Sequence, residues 1–158
     1  MAIVNVTPDS FSDGGERLRP AQAVDDGLRF VSEGADVVDV GGESTRPGSR
    51  PCAPEEELAR ILPVVEALVR QKVVVSVDTR RASVARACLD AGAAIVNDVS
   101  ALRDDVDLLP LMARCGAAVI LMHRRGLPES HYEGPAYGDV VEDVRRFLVE
   151  RATVCEAA

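Results

Sequence analysis

The stretch VVVSVDTRRASVARACLDAGAAIVND, Val73 to Asp98, decides the fold class. Val73–Val77 is a short, almost wholly apolar run rich in β-branched residues, the composition of a strand covered on both faces of a sheet. Ser83 then offers an N-cap for a helix over Val84–Ala91, and Gly92 offers its stop. Ala94–Val96 returns as a second strand and ends in Asn97-Asp98. A helix between two strands this close in sequence reads as a βαβ unit, with the strands parallel.

The same alternation continues in both directions. Ala2–Val6 and Val37–Val40 precede the unit as strands, and Ala118–Met122 follows it. After Pro20, Val24, Leu28 and Val31 recur at helical spacing until Gly34. A second helix begins at Pro54-Glu55-Glu56-Glu57, with acids at the positive end of its dipole. Leu58, Ile61, Leu62, Val65 and Leu68 form its apolar face, and Pro63 is expected to kink or divide it. A short helix around Leu108–Cys115 ends at Gly116. Val140, Val144, Phe147, Leu148 and Arg151 begin a last one. About five strand–helix units result, with no linker and no low-complexity tract. This is α/β, either an open doubly wound sheet or a (β/α)₈ barrel. Periodicity alone leaves both open, although the first βα turn lacks the glycine pattern of a dinucleotide site.

Composition removes several functions. The chain has 158 residues, 18 Lys+Arg against 26 Asp+Glu, and a formal charge of −8. No basic stripe suits a nucleic acid, although Arg80-Arg81 and Arg124-Arg125 could serve a small anion. No apolar run approaches a membrane span and no signal peptide is evident, so a cytoplasmic protein is expected. Cys52, Cys88, Cys115 and Cys155 show no C-x-x-C spacing. Cys88 and Cys115 are expected to be buried on apolar helix faces.

Polar residues gather where the strands end. Asn5, Asp78, Asn97-Asp98 and His123 close four of the strands, and Asp39 lies within another. Ligands meet the carboxyl ends of parallel strands in both architectures, so the set points to a polar ligand with several hydrogen-bonding edges. Singly, Asp78-Thr79 could cap a helix, Asn97-Asp98 could form a turn, and His123 could be a satisfied structural imidazole. Asp39 reads first as a hydrogen-bonded scaffold residue. Thr7–Gly15 and Gly41–Gly48 are long polar loops, the second offering hydroxyls, backbone N–H groups and Arg46.

These loops carry a resemblance. Asn5-Val-Thr-Pro-Asp-Ser-Phe-Ser-Asp-Gly-Gly15 and Asp39-Val-Gly-Gly-Glu-Ser-Thr-Arg-Pro-Gly48 resemble two signatures of the dihydropteroate synthase family. Ser76-Val-Asp-Thr79, Val96-Asn-Asp-Val-Ser100 and Leu121-Met-His123 follow in the family's order. The resemblance implies a (β/α)₈ TIM barrel, of which this chain would carry about the first five units, as one domain over residues 1–158 truncated at its C-terminus. It implies a transferase of folate biosynthesis, condensing 6-hydroxymethyl-7,8-dihydropterin diphosphate with para-aminobenzoate to give dihydropteroate and pyrophosphate. Asp78 and Asn97 would bind the pterin, and Asn5 would hold the Mg²⁺–diphosphate end. Thr45 and Arg46, with Pro47 and the loop around Phe11, would fold over the reacting centre and the para-aminobenzoate. A homodimer is expected of the full-length protein.

The family's later Asp-Pro-Gly, Ser-Arg-Lys and Arg-x-His segments do not occur in these residues, so the chain alone is expected to be inactive. His123-Arg124-Arg125-Gly126 also replaces the usual His-Met-x-Gly. One competing reading is a non-catalytic pterin-binding or interaction module that needs a partner chain. The other is a pterin-dependent methyltransferase, against which the Thr7–Phe11 loop argues.

Overall fold

The computed structural model describes residues 1–7, 19–44, 51–126 and 136–158. Strands and helices alternate as β1 (Ala2–Asn5), α1 (Arg19–Ser32), β2 (Val37–Gly41), α2 (Pro54–Arg70) and β3 (Val74–Asp78). Then come α3 (Ala82–Asp90), β4 (Ile95–Asp98), α4 (Leu108–Cys115), β5 (Ala118–Leu121) and α5 (Val140–Glu156). All neighbouring strands are parallel, in the order β1-β2-β3-β4-β5. The order advances by one each time and never reverses, so no topological switch point exists among them. With crossovers of one hand, this winding puts every helix on the same face. It is the winding of a barrel, and it removes the doubly wound alternative.

The register separates two faces. Val4, Val40, Val77, Val96 and Val119 lie side by side and face the helices. Val4, Val40 and Val77 belong to a core with Ile61, Val65 and Leu68 of α2 and Ala23 of α1. Val96 joins a second core with Leu108, Leu111 and Met112 of α4. The opposite face carries Asn5, Gly41, Asp78, Asn97 and Ile120 in one row, and Ile3, Asp39, Ser76, Ile95 and Ala118 in the row beneath. Among the described residues this second face has no helix against it: Ile3 is 60% exposed and Val74 46%.

Several local expectations change. Pro63 does not divide α2, which runs unbroken from Pro54 to Arg70. Only one backbone bond is lost at a proline, and buried Ile61, Val64, Val65 and Leu68 hold the helix on both sides of it. Ser83 is not a cap: α3 starts at Ala82, and its first N–H donates to Asp105 Oδ2 at 2.7 Å. Cys88 is buried as expected, but Cys115 ends α4 on its exposed side, before Gly116 in the left-handed conformation. Among the described residues no helix is long and apolar enough to cross a membrane.

Candidate active site

The inner row is the place where the sequence-predicted residues meet. Asn5, Asp78 and Asn97 are register neighbours across Gly41, so their side chains leave the same face at the same level. Gly41 stands between Asn5 and Asp78 in this row. A Cβ there would stand at ordinary contact distance from both side chains, 3.5 Å from Asp78 Oδ2 and 3.6 Å from Asn5 Oδ1. Asn97 is oriented from below, because its Nδ2 donates to Asp39 Oδ2 at 3.0 Å. Asp39 is buried, as a scaffold carboxylate should be, yet its Oδ1 has no partner among the described residues. Among the described residues the Oγ of Ser76 beside it is also buried without one.

Electrostatics single out Asp78. Burial pushes its carboxyl from 3.8 to about 7, and the charges of Asp39, Glu57, Asp98 and Glu43 push in the same direction. A site holding a carboxyl near neutrality next to a buried carboxylate is built to receive hydrogen-bond donors.

Adjacent residues of a strand point to opposite faces, which divides Asn97 from Asp98. Asp98 faces the helices, fully buried, and accepts from Ser100 N, Ser100 Oγ and Leu102 N at 2.6–2.7 Å. It shapes the β4 turn, where Ala101 and Leu102 take positive φ values of 56° and 60°. A turn role therefore holds for Asp98 and not for Asn97. Thr79 shapes the turn after β3, its Oγ1 accepting from Arg81 N one residue before α3 begins. His123 packs edge-on against Phe147 of α5, with ring centroids 4.9 Å apart, and beside Tyr137. It is a packed imidazole on the α5 side. Thr45, Arg46, Pro47 and Phe11 lie outside the described residues.

Sequence reasoning missed a chain of ion pairs around this rim. Arg81 binds buried Glu57 and Glu43, Arg80 binds Glu43 and Asp104, and Arg124 binds Asp104. The Arg80-Arg81 pair, expected as possible anion ligands, is thus engaged by carboxylates of the chain itself. Burial acts against ionisation of Asp104, but bonds from Arg124 and Arg80 bring its carboxyl below the usual range. The available signal was the unusual adjacency of two arginines to a buried strand. Among the described residues, no group of three or more His, Cys, Asp or Glu gathers as a metal cluster.

The profile of the pterin binding enzyme family matches residues 1–158. Over 150 residues the chain is 54% identical to the dihydropteroate synthase of Mycobacterium leprae, covering 94% of this chain and 53% of that protein. It is 44% identical to that of Escherichia coli K12, covering 100% and 56%. It therefore spans about half the length of the curated relatives it matches. Xanthomonas albilineans dihydropteroate synthase with 4-aminobenzoic acid superposes with a TM-score of 0.89 at 50% identity, over 99% of this chain and 55% of that one. The same enzyme in complex with 7,8-dihydropteroate gives 0.84 at 46% identity, over 99% and 54%. The five units are those of a partial (β/α)₈ barrel.

Proposed function

Because the chain belongs to the family of pterin binding enzymes, we propose that it supplies the pterin-facing part of a dihydropteroate synthase. The reaction joins 6-hydroxymethyl-7,8-dihydropterin diphosphate to para-aminobenzoate and releases pyrophosphate. One observation carries this reading: Asn5, Asp78 and Asn97 share one row at the carboxyl ends of β1, β3 and β4, with Asn5 and Asp78 on either side of Gly41 and Asn97 next to Asp78. A planar heterocycle with adjacent N–H donors and a carbonyl needs an acceptor pair in its plane and a fixed amide. Asp78 supplies the first. Asn97, with one N–H bound to Asp39, supplies the second.

Asn5 stands across from Asp78, where the diphosphate end of the ligand would emerge. Its Oδ1 is a neutral, hard oxygen donor of the kind that would suit Mg²⁺. An ion held by Asn5 would supply charge neutralisation for the departing pyrophosphate. The aromatic amine attacks the pterin methylene, the carbon–oxygen bond breaks toward pyrophosphate, and the amine proton passes to solvent. No side-chain nucleophile or general base is assigned. The resemblance of their segment gives Thr45 and Arg46 to the para-aminobenzoate side. The same reading makes the enzyme cytoplasmic and homodimeric.

A second reading, a pterin-binding module that needs a partner chain, is favoured by the open sheet. β1 and β5 are unpaired edges among the described strands, and Ile3, Val74 and Met122 expose apolar surface. Such edges invite pairing.

Calorimetric titration of the chain with 6-hydroxymethylpterin tests the site. Binding should be present and lost in Asp78→Ala and Asn97→Ala. A folded chain that ignores the pterin would overturn the proposal. Pyrophosphate release with both substrates and Mg²⁺ separates the readings. The enzyme reading predicts silence from the chain alone and turnover once the C-terminal part of the Mycobacterium leprae relative is joined to it; continued silence with pterin bound favours the module.

A further inference from the structure

The guanidinium of Arg81 touches both sides of the stretch that carries Thr45 and Arg46. Nη1 donates to Glu43 Oε2 at 2.8 Å and Nη2 to Glu43 Oε1 at 3.2 Å, on the near side. Nη2 also donates to the backbone carbonyl of Cys52 at 2.8 Å, on the far side. Nη1 reaches in addition to Glu57, whose side chain is fully buried in α2. Residues nine apart in sequence are thus tied to one planar group, which is itself fixed to a helix.

Two neighbours reinforce the tie. Arg60 Nη1 donates to the Gly42 carbonyl at 2.8 Å, and Arg80 adds bonds to both Glu43 oxygens. The side chains of Glu43 and Arg81 are only 11% and 15% exposed, so water is a poor substitute for either.

We propose that Arg81 is a positioning residue, a clasp that sets where the stretch between Glu43 and Cys52 leaves and rejoins the barrel rim. The inference rests on the proposed function for its purpose, since Thr45 and Arg46 matter only if that stretch meets the second substrate. The clasp itself depends on geometry. A planar fork with five donors can hold a carboxylate, a carbonyl and a second carboxylate together; an ammonium at the same place keeps the charge but not the fork.

The four cysteines allow a test on the chain as it stands. Rates of alkylation by iodoacetamide are read at each cysteine by mass spectrometry. Cys52 reports the clasp, and buried Cys88 reports opening of the whole core. Arg81→Lys should raise the Cys52 rate about tenfold, the effect of losing a charge-assisted bond, with Cys88 unchanged. Glu43→Gln, which leaves the Arg81–Glu57 pair in place, should do the same if the lysine variant fails to fold. An unchanged Cys52 rate in folded Glu43→Gln, or a rise matched by Cys88, would overturn the clasp. Neither outcome depends on pterin binding, so the clasp and the enzymatic reading can fail separately.

Discussion

The Asn97 amide donates to the Asp39 carboxylate at 3.0 Å across β3, which lies between their strands. Strands are about 4.8 Å apart, so the two side chains must lean toward each other over the middle strand. Curling of the sheet toward a barrel permits this, since side chains of alternate strands meet inside one. The residue beneath the bond is Ser76, small and fully buried. The bond decides which way the Asn97 amide faces, leaving its oxygen for a ligand.

Asp39→Ala should therefore weaken binding of 6-hydroxymethylpterin by tenfold to a hundredfold, about 1.5–3 kcal/mol for a hydrogen bond to a charged group. Asp39→Asn keeps an acceptor oxygen and should lose less than tenfold. Calorimetry on both variants checks the order. Equal affinities in all three proteins would show that Asp39 does not orient the amide.

Gly41 and Gly42 are neighbours with different reasons to lack a side chain. At Gly42 a Cβ would meet Ile61 Cγ2 at 2.8 Å and the Glu57 carbonyl oxygen at 3.0 Å, a backbone atom that cannot step aside. Gly42→Ala should lower unfolding free energy by about 2 kcal/mol, as overpacking does. At Gly41 the nearest atoms are 3.4–3.6 Å away, ordinary contact distances. Gly41→Ala should fold with under about 1 kcal/mol lost and yet bind no pterin. Urea midpoints and titrations separate the two effects.

Much of the fold is legible in the sequence. Val and Ile runs mark strands buried on both faces, and they locate all five strands to within a residue or two. β2, β3 and β4 run one or two residues past their apolar runs, to Gly41, Asp78 and Asp98, which still pair along the ladder, while β1 and β5 stop one residue short of theirs. Gly34, Gly92 and Gly116 mark helix ends and do take positive φ. The two-residue alternation of a strand is enough to set Asn97 and Asp98 on opposite faces. Strand order and long-range pairing are not legible, because they are set by tertiary contacts. Glu57 reads as a first-turn acid but serves as the buried partner of Arg81. Asp105, distant in sequence, accepts the helix N–H in the role expected of Ser83.

Arg124 and Asp104 should respond unequally to loss. The Arg124 side chain is 4% exposed, and its Nε and Nη1 are buried without partners among the described residues. Arg124→Met removes those donors, fills similar volume, and leaves Asp104 bound to Arg80. Stability should hold or rise by about 1 kcal/mol. Asp104→Ala strands the buried guanidinium and should cost about 3 kcal/mol. Chemical denaturation of the two variants decides; a larger loss in Arg124→Met would mean that its unpaired donors are satisfied in solution.

Asp78 ties stability to pH in an uncommon direction. Its folded value is raised to about 7, mainly by burial, while the unfolded group titrates near 4. Between those values the native state binds the extra proton, so stability falls as pH rises through the window and levels off above it. The loss is at most about 4 kcal/mol at 1.4 kcal/mol per pH unit. Asp78→Asn cannot titrate, so its advantage in urea midpoint over the parent should be larger at pH 8 than at pH 5. Binding runs the other way, because the ionised carboxylate is the better acceptor for pterin N–H groups. Affinity of the parent should climb through pH 7 and then flatten, with the asparagine variant weak throughout. Parallel midpoint curves for parent and variant from pH 5 to 8 would show that Asp78 titrates as an ordinary surface acid. The acceptor role built on its burial would fall with that result.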